Sequence, residues 1–446
     1  MMLPRLKLDI QKEGGTLAGP EGTPRRGVIA AVFADDNRGI AALHHAAVEA
    51  LREAMPGCSI SMIAVTDPRD RGGASYALTM SRDADVELLA PPIPVRAGMV
   101  GSLLALLRSL QLLFLRPGGG TPPAVQRVLD ADLVVVRGGN HSFRDRRGLR
   151  GVLAMWLTLF PLALASRSRV PTAVLPSTVG PFRHWPSRAL SQWVLRRTNV
   201  IMVRDGRSQR RVLAMGVDPA RVVLIPDGVF RSHRPTMAEC RAVADRLGFG
   251  DVRFGAVTVR TMAARSGRSA EDVRRFYESV AETIRILLAR DIVDRIAVVL
   301  QIEGHNESDA RPTAELLKAV NDPRVRLVRS GLSPDELIAF YGAAQFVITS
   351  HLHSSIFSLV AGTPVFPFSL VGEKVDGVFE DLGLQRFVVT GRRFDPATLA
   401  ETVAQTTANG ETVRTEIRQA VDAAGAEAGR AADLLRAASN GDRRTK

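Results

Sequence analysis

The sequence predicts an α/β protein of two Rossmann-like domains, each a parallel sheet wrapped by helices, facing one another across a cleft. Three observations lead there. The chain has 446 residues, room for two domains of about 200 residues each, the size at which chains usually divide. Short β-branched or apolar runs alternate with amphipathic segments, the pattern of parallel strands joined by helical crossovers. That alternation stops near Phe230, passes through a segment containing Pro235, Gly248 and Gly250, and restarts at Phe254.

Taken in order, residues 1–26 carry Gly14, Gly15, Gly19, Pro20, Gly22 and Pro24 without apolar periodicity and read as a flexible N-terminal arm. Residues 27–230 form the first Rossmann-like domain, with strands expected at 28–34, 59–65, 132–136, 172–176, 200–203 and 222–225. Its helices are expected at 40–54, 99–115, 151–165, 186–197 and 207–215. Residues 231–250 are a linker region. Residues 251–395 form the second Rossmann-like domain. Its strands fall at 254–259, 295–301, 325–328, 345–349, 364–368 and a short one near 386–389, its helices at 269–290, 310–320, 334–342, 354–361 and 374–381. Residues 396–446, rich in Ala and charge, are a C-terminal helical segment and tail.

Composition bounds the function. Hydrophobic residues make up 46% and charged residues 24% of the chain, the balance of a globular protein. With only Cys58 and Cys240 and no apolar signal stretch, the expected compartment is the cytoplasm. The apolar stretches Met99–Leu115, interrupted by Arg108, and Gly151–Ala165, interrupted by Pro161, are shorter than a bilayer requires and are expected to be buried helices. The formal charge of +13 is almost entirely arginine. With three Trp and three Tyr there is no aromatic interleaving of the kind single-stranded nucleic acid needs, so no nucleic-acid partner is expected. The charge suits anionic small molecules or lipid headgroups, and peripheral attachment to the inner membrane face is a further expectation.

In open parallel sheets ligands bind beyond the carboxyl ends of the strands. After the first strand, Asp35-Asp36-Asn37-Arg38-Gly39 opens a helix, either as an anion or sugar cradle or as an ordinary helix cap. After strand 132–136, Arg137-Gly138-Gly139-Asn140 lets a ligand approach the backbone, or makes a structural turn. Arg204 and Asp205 read as a salt bridge opening helix 207–215, and Pro226-Asp227-Gly228 as a turn. The most informative stretch runs from Phe346 to Val365, where a strand ends in Ser350-His351-Leu352-His353-Ser354-Ser355 and a helix begins. Proton-transfer and anion-binding groups are thereby placed together. No third ligand accompanies the two histidines at metal-like spacing, so no metal is expected. Arg260 and Lys374 put cations at strand ends on the same side.

The succession Asn37-Arg38-Gly39, Gly138-Gly139-Asn140, Gly180-Pro181, Val203-Arg204-Asp205 with Ser208, Pro226-Asp227 and His351-Leu352-His353 resembles the polysaccharide pyruvyl transferases. Three positions depart from that family's pattern: His351 stands where it has an arginine, Ile40 where an acidic residue commonly follows, and Pro176 where a glutamine is frequent. The resemblance implies phosphoenolpyruvate as donor substrate, with no separate cofactor, and a sugar hydroxyl pair, on a free or lipid-linked glycan precursor, as acceptor. It assigns His353 and Arg260 to catalysis. Lys374, His351, Ser354 and Ser355 go to the donor, and Asn37, Gly138, Gly139 and Asn140 to the acceptor. Two other readings share this architecture: a GT-B-like glycosyltransferase using a nucleotide sugar, and a non-catalytic sugar- or anion-binding relative.

Overall fold

The structure is a computed structural model that describes residues 24–69, 75–94, 98–114, 120–260, 269–304, 308–329, 331–369, 374–390 and 394–441. Most of the expected N-terminal arm therefore lies outside the described residues.

The first unit contains β1 (Arg26–Val32), α1 (Arg38–Ala54), β2 (Ser59–Ala64), α2 (Ala77–Arg82), β3 (Glu87–Leu89), α3 (Gly98–Phe114), α4 (Pro123–Leu129) and β4 (Leu133–Val136). It continues with α5 (Gly148–Arg167), β5 (Thr172–Ser177), α6 (Trp185–Leu195), β6 (Val200–Val203), α7 (Gly206–Leu213) and β7 (Val222–Leu224). These strands form one parallel sheet in the order β3-β2-β1-β4-β5-β6-β7. After α8 (Met237–Arg246) the second unit runs β8 (Phe254–Thr258), α9 (Ala270–Ala289), β9 (Arg295–Val299), α10 (Ala310–Val320), β10 (Val325–Val328), α11 (Pro334–Ala343), β11 (Val347–Thr349), α12 (Leu352–Val360), β12 (Val365–Pro367) and α13 (Lys374–Asp381). Its sheet is parallel, in the order β10-β9-β8-β11-β12. Both orders reverse direction beside their first strand, giving switch points between β1 and β4 and between β8 and β11.

The local sequence explains these elements. β4 is four aliphatic residues in a row, buried on both faces as a central parallel strand must be. Helices α9 and α11 begin at Ser269 and Ser333, each with a reciprocal capping box to the residue three positions on, Asp272 and Glu336. At the end of β1 one extra residue is accommodated before Val32 pairs with Ala64, and Ala31 takes a φ of 60°. A left-handed alanine is strained, and here it sits where β1 opens toward the site.

Several elements differ from expectation. α2, β3 and α4 were not expected: β3 is a three-residue edge strand and α2 has six residues, too short for either to show a period. The short strand near 386–389 is a 3₁₀ turn at Gln385–Phe387, with one isolated pairing of Val389 to Phe368. α3, expected as a buried helix, turns most of its leucines outward.

The helical segment beyond residue 396 comprises α14 (Pro396–Ala408) and α15 (Gly410–Gly441). α15 belongs to neither unit alone. Its first half places Val413, Ile417, Val421 and Ala424 in the core of the second unit, and its second half places Ala431 and Leu435 against Ile29, Leu51 and Met202 of the first. Leu435 is wholly buried, so Leu435→Ala should lower the unfolding free energy by about 2–5 kcal/mol, measured by urea denaturation. A change below about 0.5 kcal/mol would show that the end of α15 is not holding the two units together.

Candidate functional site

The two switch points meet, and the contact starts with backbone. Asn37 pairs with Ile302 in an isolated antiparallel bridge, and Glu303 N donates to Asp36 O at 3.1 Å. The Arg38 guanidinium, almost fully buried, reaches Glu303 Oε2 at 3.0 Å. The loop after β1 is thus closed onto the loop after β9.

Of the four residues expected to hold an acceptor, three have structural duties. Asn37 caps α1, its side-chain oxygen accepting from Gly39 N at 3.0 Å. Gly138 is packed so that a Cβ would lie 2.7 Å from Pro176 O, and Gly139 has a φ of 100°, so both positions require glycine. Gly139 N donates to Pro176 O while Gly139 O accepts from Thr178 N, extending β4 toward β5. Asn140, half-buried, makes no side-chain hydrogen bond to any described residue.

On the second unit, Arg260 follows β8 with its backbone held on both sides. Its N–H donates to Ser350 Oγ at 2.7 Å and its carbonyl accepts from Tyr277 OH at 3.0 Å. His351 is turned inward: its Nε2 lies 2.9 Å from Asp309 Oδ2, close enough for an ion pair but too poorly angled for a hydrogen bond. The Ser354 hydroxyl donates to Gln301 Oε1 at 2.9 Å and the Ser355 hydroxyl donates to His351 O at 3.0 Å. Both hydroxyls are committed within the protein, which leaves the first-turn backbone N–H groups of α12 as the remaining donors there.

His353 projects the other way, across the junction. Its ring lies on the first turn of α1 so closely that a Cβ at Gly39 would come within 2.3 Å of it. Its Nε2 is 3.8 Å from Asp227 Oδ2 and is buried without a hydrogen-bond partner. Asp227 is fully buried and accepts from Arg204 Nη1 at 2.9 Å and from Val229 N at 3.1 Å. Arg204 does not pair with Asp205 as its neighbourhood in sequence suggested. It spends its Nε on Thr178 Oγ1 at 2.7 Å, and Asp205 instead caps α7 through Ser208 N. Thr178, Arg204-Asp205 and Asp227, from the ends of three neighbouring strands, are therefore bonded together beside His353.

Two residues not singled out as site candidates complete the arrangement. Arg137 is fully buried, stacks on Phe33, and donates weakly to Ala31 O at 3.4 Å, the carbonyl beside the strained bulge. Its Nη1 is buried without a hydrogen-bond partner among the described residues. Burial, opposed by Asp227 and reinforced by Arg204, pulls its pKa down to about 9. His141 lies beside it, with Nδ1 at 3.5 Å from Arg137 Nη2. Burial holds the His141 pKa well below the usual imidazole range, helped by the charges of Arg137, Lys374, Arg144 and His353. Lys374 and His353 of the second unit therefore act electrostatically on a histidine of the first. The clue in sequence was Arg137 itself, a cation directly after four aliphatic residues.

The innermost part of the junction is rich in positive charge, with Arg137 and Arg204 both set against the carboxylate of Asp227. Burial, opposed by Asp227, also lowers the His353 pKa to about 4. Two consequences can be measured. Arg204→Met would leave Asp227 buried and unpaired and should cost about 3–5 kcal/mol of stability by urea unfolding. Adding Asp227→Asn should recover part of it. The second concerns pH. His44, His141 and His353 stay neutral in the fold below their ordinary pKa of 6.5, whereas the unfolded chain binds those protons. Stability should therefore fall as pH drops from about 6.5 toward 4, and thermal melts should show a shallower decline for His353→Gln.

The fold is shared with solved sugar-nucleotide enzymes of the GT-B type. A Listeria monocytogenes protein assigned as a UDP-N-acetylglucosamine 2-epimerase aligns with a TM-score of 0.60 at 13% identity, over 95% of this chain and 98% of that one. A Neisseria meningitidis UDP-GlcNAc 2-epimerase, solved with UDP-GlcNAc bound, aligns at 0.57 with 9% identity over 93% and 98%. A Rickettsia africae glycosyltransferase aligns at 0.56 with 10% identity over 95% and 100%. At such identities the likeness is one of fold. The family model for polysaccharide pyruvyl transferases matches residues 37–370, from the cap of α1 to the strand end beyond β12, and the chain belongs to that family.

Proposed function

We propose that the protein transfers pyruvate from phosphoenolpyruvate to two hydroxyls of a sugar, forming a ketal. The observation that carries this reading is the buried cationic junction, where Arg137 keeps a nitrogen without a partner among the described residues and Arg204 shares the carboxylate of Asp227 with the nearby His353. A small, highly charged anion answers that imbalance better than a neutral sugar does. Lys374 and Arg260 add cations from the second unit, and the start of α12 adds backbone N–H groups.

The reaction requires that the donor's methylene carbon gain a proton, that C2 be attacked in turn by two hydroxyl oxygens, and that the bond from C2 to the phosphate oxygen break. Of the two hydroxyl protons, one balances the new methyl group and the other leaves with phosphate. His353 is the acid in this scheme. Alone in the site it is neutral at pH 7, with its pKa lowered to about 4, but a polyanion beside it favours the imidazolium. His141, held neutral and next to Asn140 in the chain, takes a proton from the acceptor hydroxyl in this scheme. His351, paired with Asp309, supports the anion only indirectly, so Arg137 takes over the charge that the family pattern puts at that position.

Calorimetric titration at pH 7.5 with phosphoenolpyruvate, repeated in buffers of different ionisation enthalpy, tests this. Binding should take up a proton, and His353→Gln should abolish that uptake while retaining binding. Arg137→Met should weaken binding about 10- to 100-fold. Stabilisation by UDP- or GDP-sugars with no response to phosphoenolpyruvate would replace this reading with a glycosyltransferase.

A further inference from the structure

The net charge of this protein is concentrated in one segment of its sequence. Residues 91–200 contain 15 Arg against 3 Asp, with no Lys or Glu, a net +12 within a chain whose total is +13. The same segment carries the most exposed apolar surface among the described residues. α3 has no acidic residue, and along it Met99 (81% exposed), Val100, Leu103, Leu104, Leu107, Leu110 and Phe114 face solvent. Leu149 at the start of α5 is 90% exposed and Trp185 at the start of α6 is 78% exposed.

The helices that carry these residues are neighbours. Trp156 of α5 donates to Ser109 Oγ of α3 at 2.8 Å and packs edge-on against Trp193 of α6, so the three helices form one layer. Around the apolar patch stand the exposed Arg108, Arg147, Arg150, Arg183 and Arg188. Of the three aspartates only Asp145 lies at this rim, where it also accepts from Arg183 N. Asp145 is engaged by His184 at 2.7 Å, while Asp130 and Asp132 serve Arg26 at the start of β1.

We infer that the α3–α5–α6 face docks the protein on an anionic lipid bilayer, its leucines entering the interface and its arginines lying against the headgroups. A patch meant for another protein has no need of a one-signed rim, and nucleic acid has no use for a surface of leucines. Apolar side chains together with arginines and interfacial tryptophans are what a headgroup boundary selects. Helices α3 and α5 begin beyond the carboxyl ends of β3 and β4, so the face adjoins the loop of Gly138 to Asn140. On the pyruvyl-transfer reading, that position suits an acceptor whose lipid anchor stays in the membrane, but docking itself does not depend on that reading.

All three tryptophans of the chain, Trp156, Trp185 and Trp193, lie in this layer, so intrinsic fluorescence reports on it. The full-length protein is mixed with vesicles of phosphatidylcholine alone or with phosphatidylglycerol added. Cosedimentation and a blue shift should occur with phosphatidylglycerol only and weaken as salt is raised. Leu103→Glu combined with Leu107→Glu, both at exposed positions, should reduce partitioning at least about tenfold with unchanged circular dichroism and melting temperature. Three results would overturn the inference: no cosedimentation with phosphatidylglycerol at low salt, undiminished binding by the double variant, or dimerisation through this face without vesicle binding.

Discussion

The ion pair between Arg204 and Asp227 is the contact on which the site depends. Both side chains are out of water, which for isolated charges costs several kcal/mol each. The cost is met only because Thr178 takes the Arg204 Nε, Val229 N binds the second oxygen of Asp227, and the carboxylate also faces His353. These partners come from the loops after β5, β6, β7 and β11. Losing Thr178 or Val229 N would leave the pair short of a hydrogen bond, so the pair ties together the ends of β5, β6 and β7 and meets the second unit at His353.

One carboxylate cannot serve all the cations around it. Arg137 lies in the same buried space, its guanidinium depressed and partly unpartnered. A core that had to satisfy only folding would have no reason to keep it there. Beside it, β1 ends in a bulge with Ala31 in left-handed backbone, a second local cost at the same place. Strain and unpaired charge converging on a switch point are expected where binding energy is to be collected from a ligand.

How far this was legible in sequence differed by element. The two parallel sheets followed from apolar runs such as Leu133–Val136, where burial on both faces leaves no other reading. β3 and α2 escaped because pieces of three and six residues carry no period. Arg204 was expected to pair with its chain neighbour Asp205, yet its partner lies 23 positions away. Ion pairing is set by where strand ends converge, and local spacing says little about that. His353 was legible because a strand ending in so polar a segment is unusual. His141 was not, since its significance comes from Lys374 and His353 across the junction. The exposure of α3 was hidden for a similar reason: its composition suits a core, and only the packing of α5 shows that one side of it is covered.

The contacts between the two units differ greatly in strength. Near the rim, Arg82 pairs with Asp335 and Arg207 with Glu380, all at least partly exposed, and such pairs contribute about 0–1 kcal/mol each. Behind the site, α15 inserts Ile417 and Val421 into one core and Leu435 into the other, and burying such side chains contributes roughly 1.5–3 kcal/mol apiece. Between these lie Ala42 and Leu43 of α1, one turn beyond Gly39, in the apolar cluster that holds the second unit's core, with Leu43 also packed on Gly138 and Gly139 of its own unit. Separating the switch points breaks the rim pairs at little cost but must unseat the histidine from Gly39 and take Ala42 and Leu43 out of their shared apolar cluster. The energetic gradient therefore runs from a weak rim to a strong spine along α15, with the chemistry on the steep part between them. Closure at His353 is tied to apolar packing, while the rim is left free to yield to a ligand.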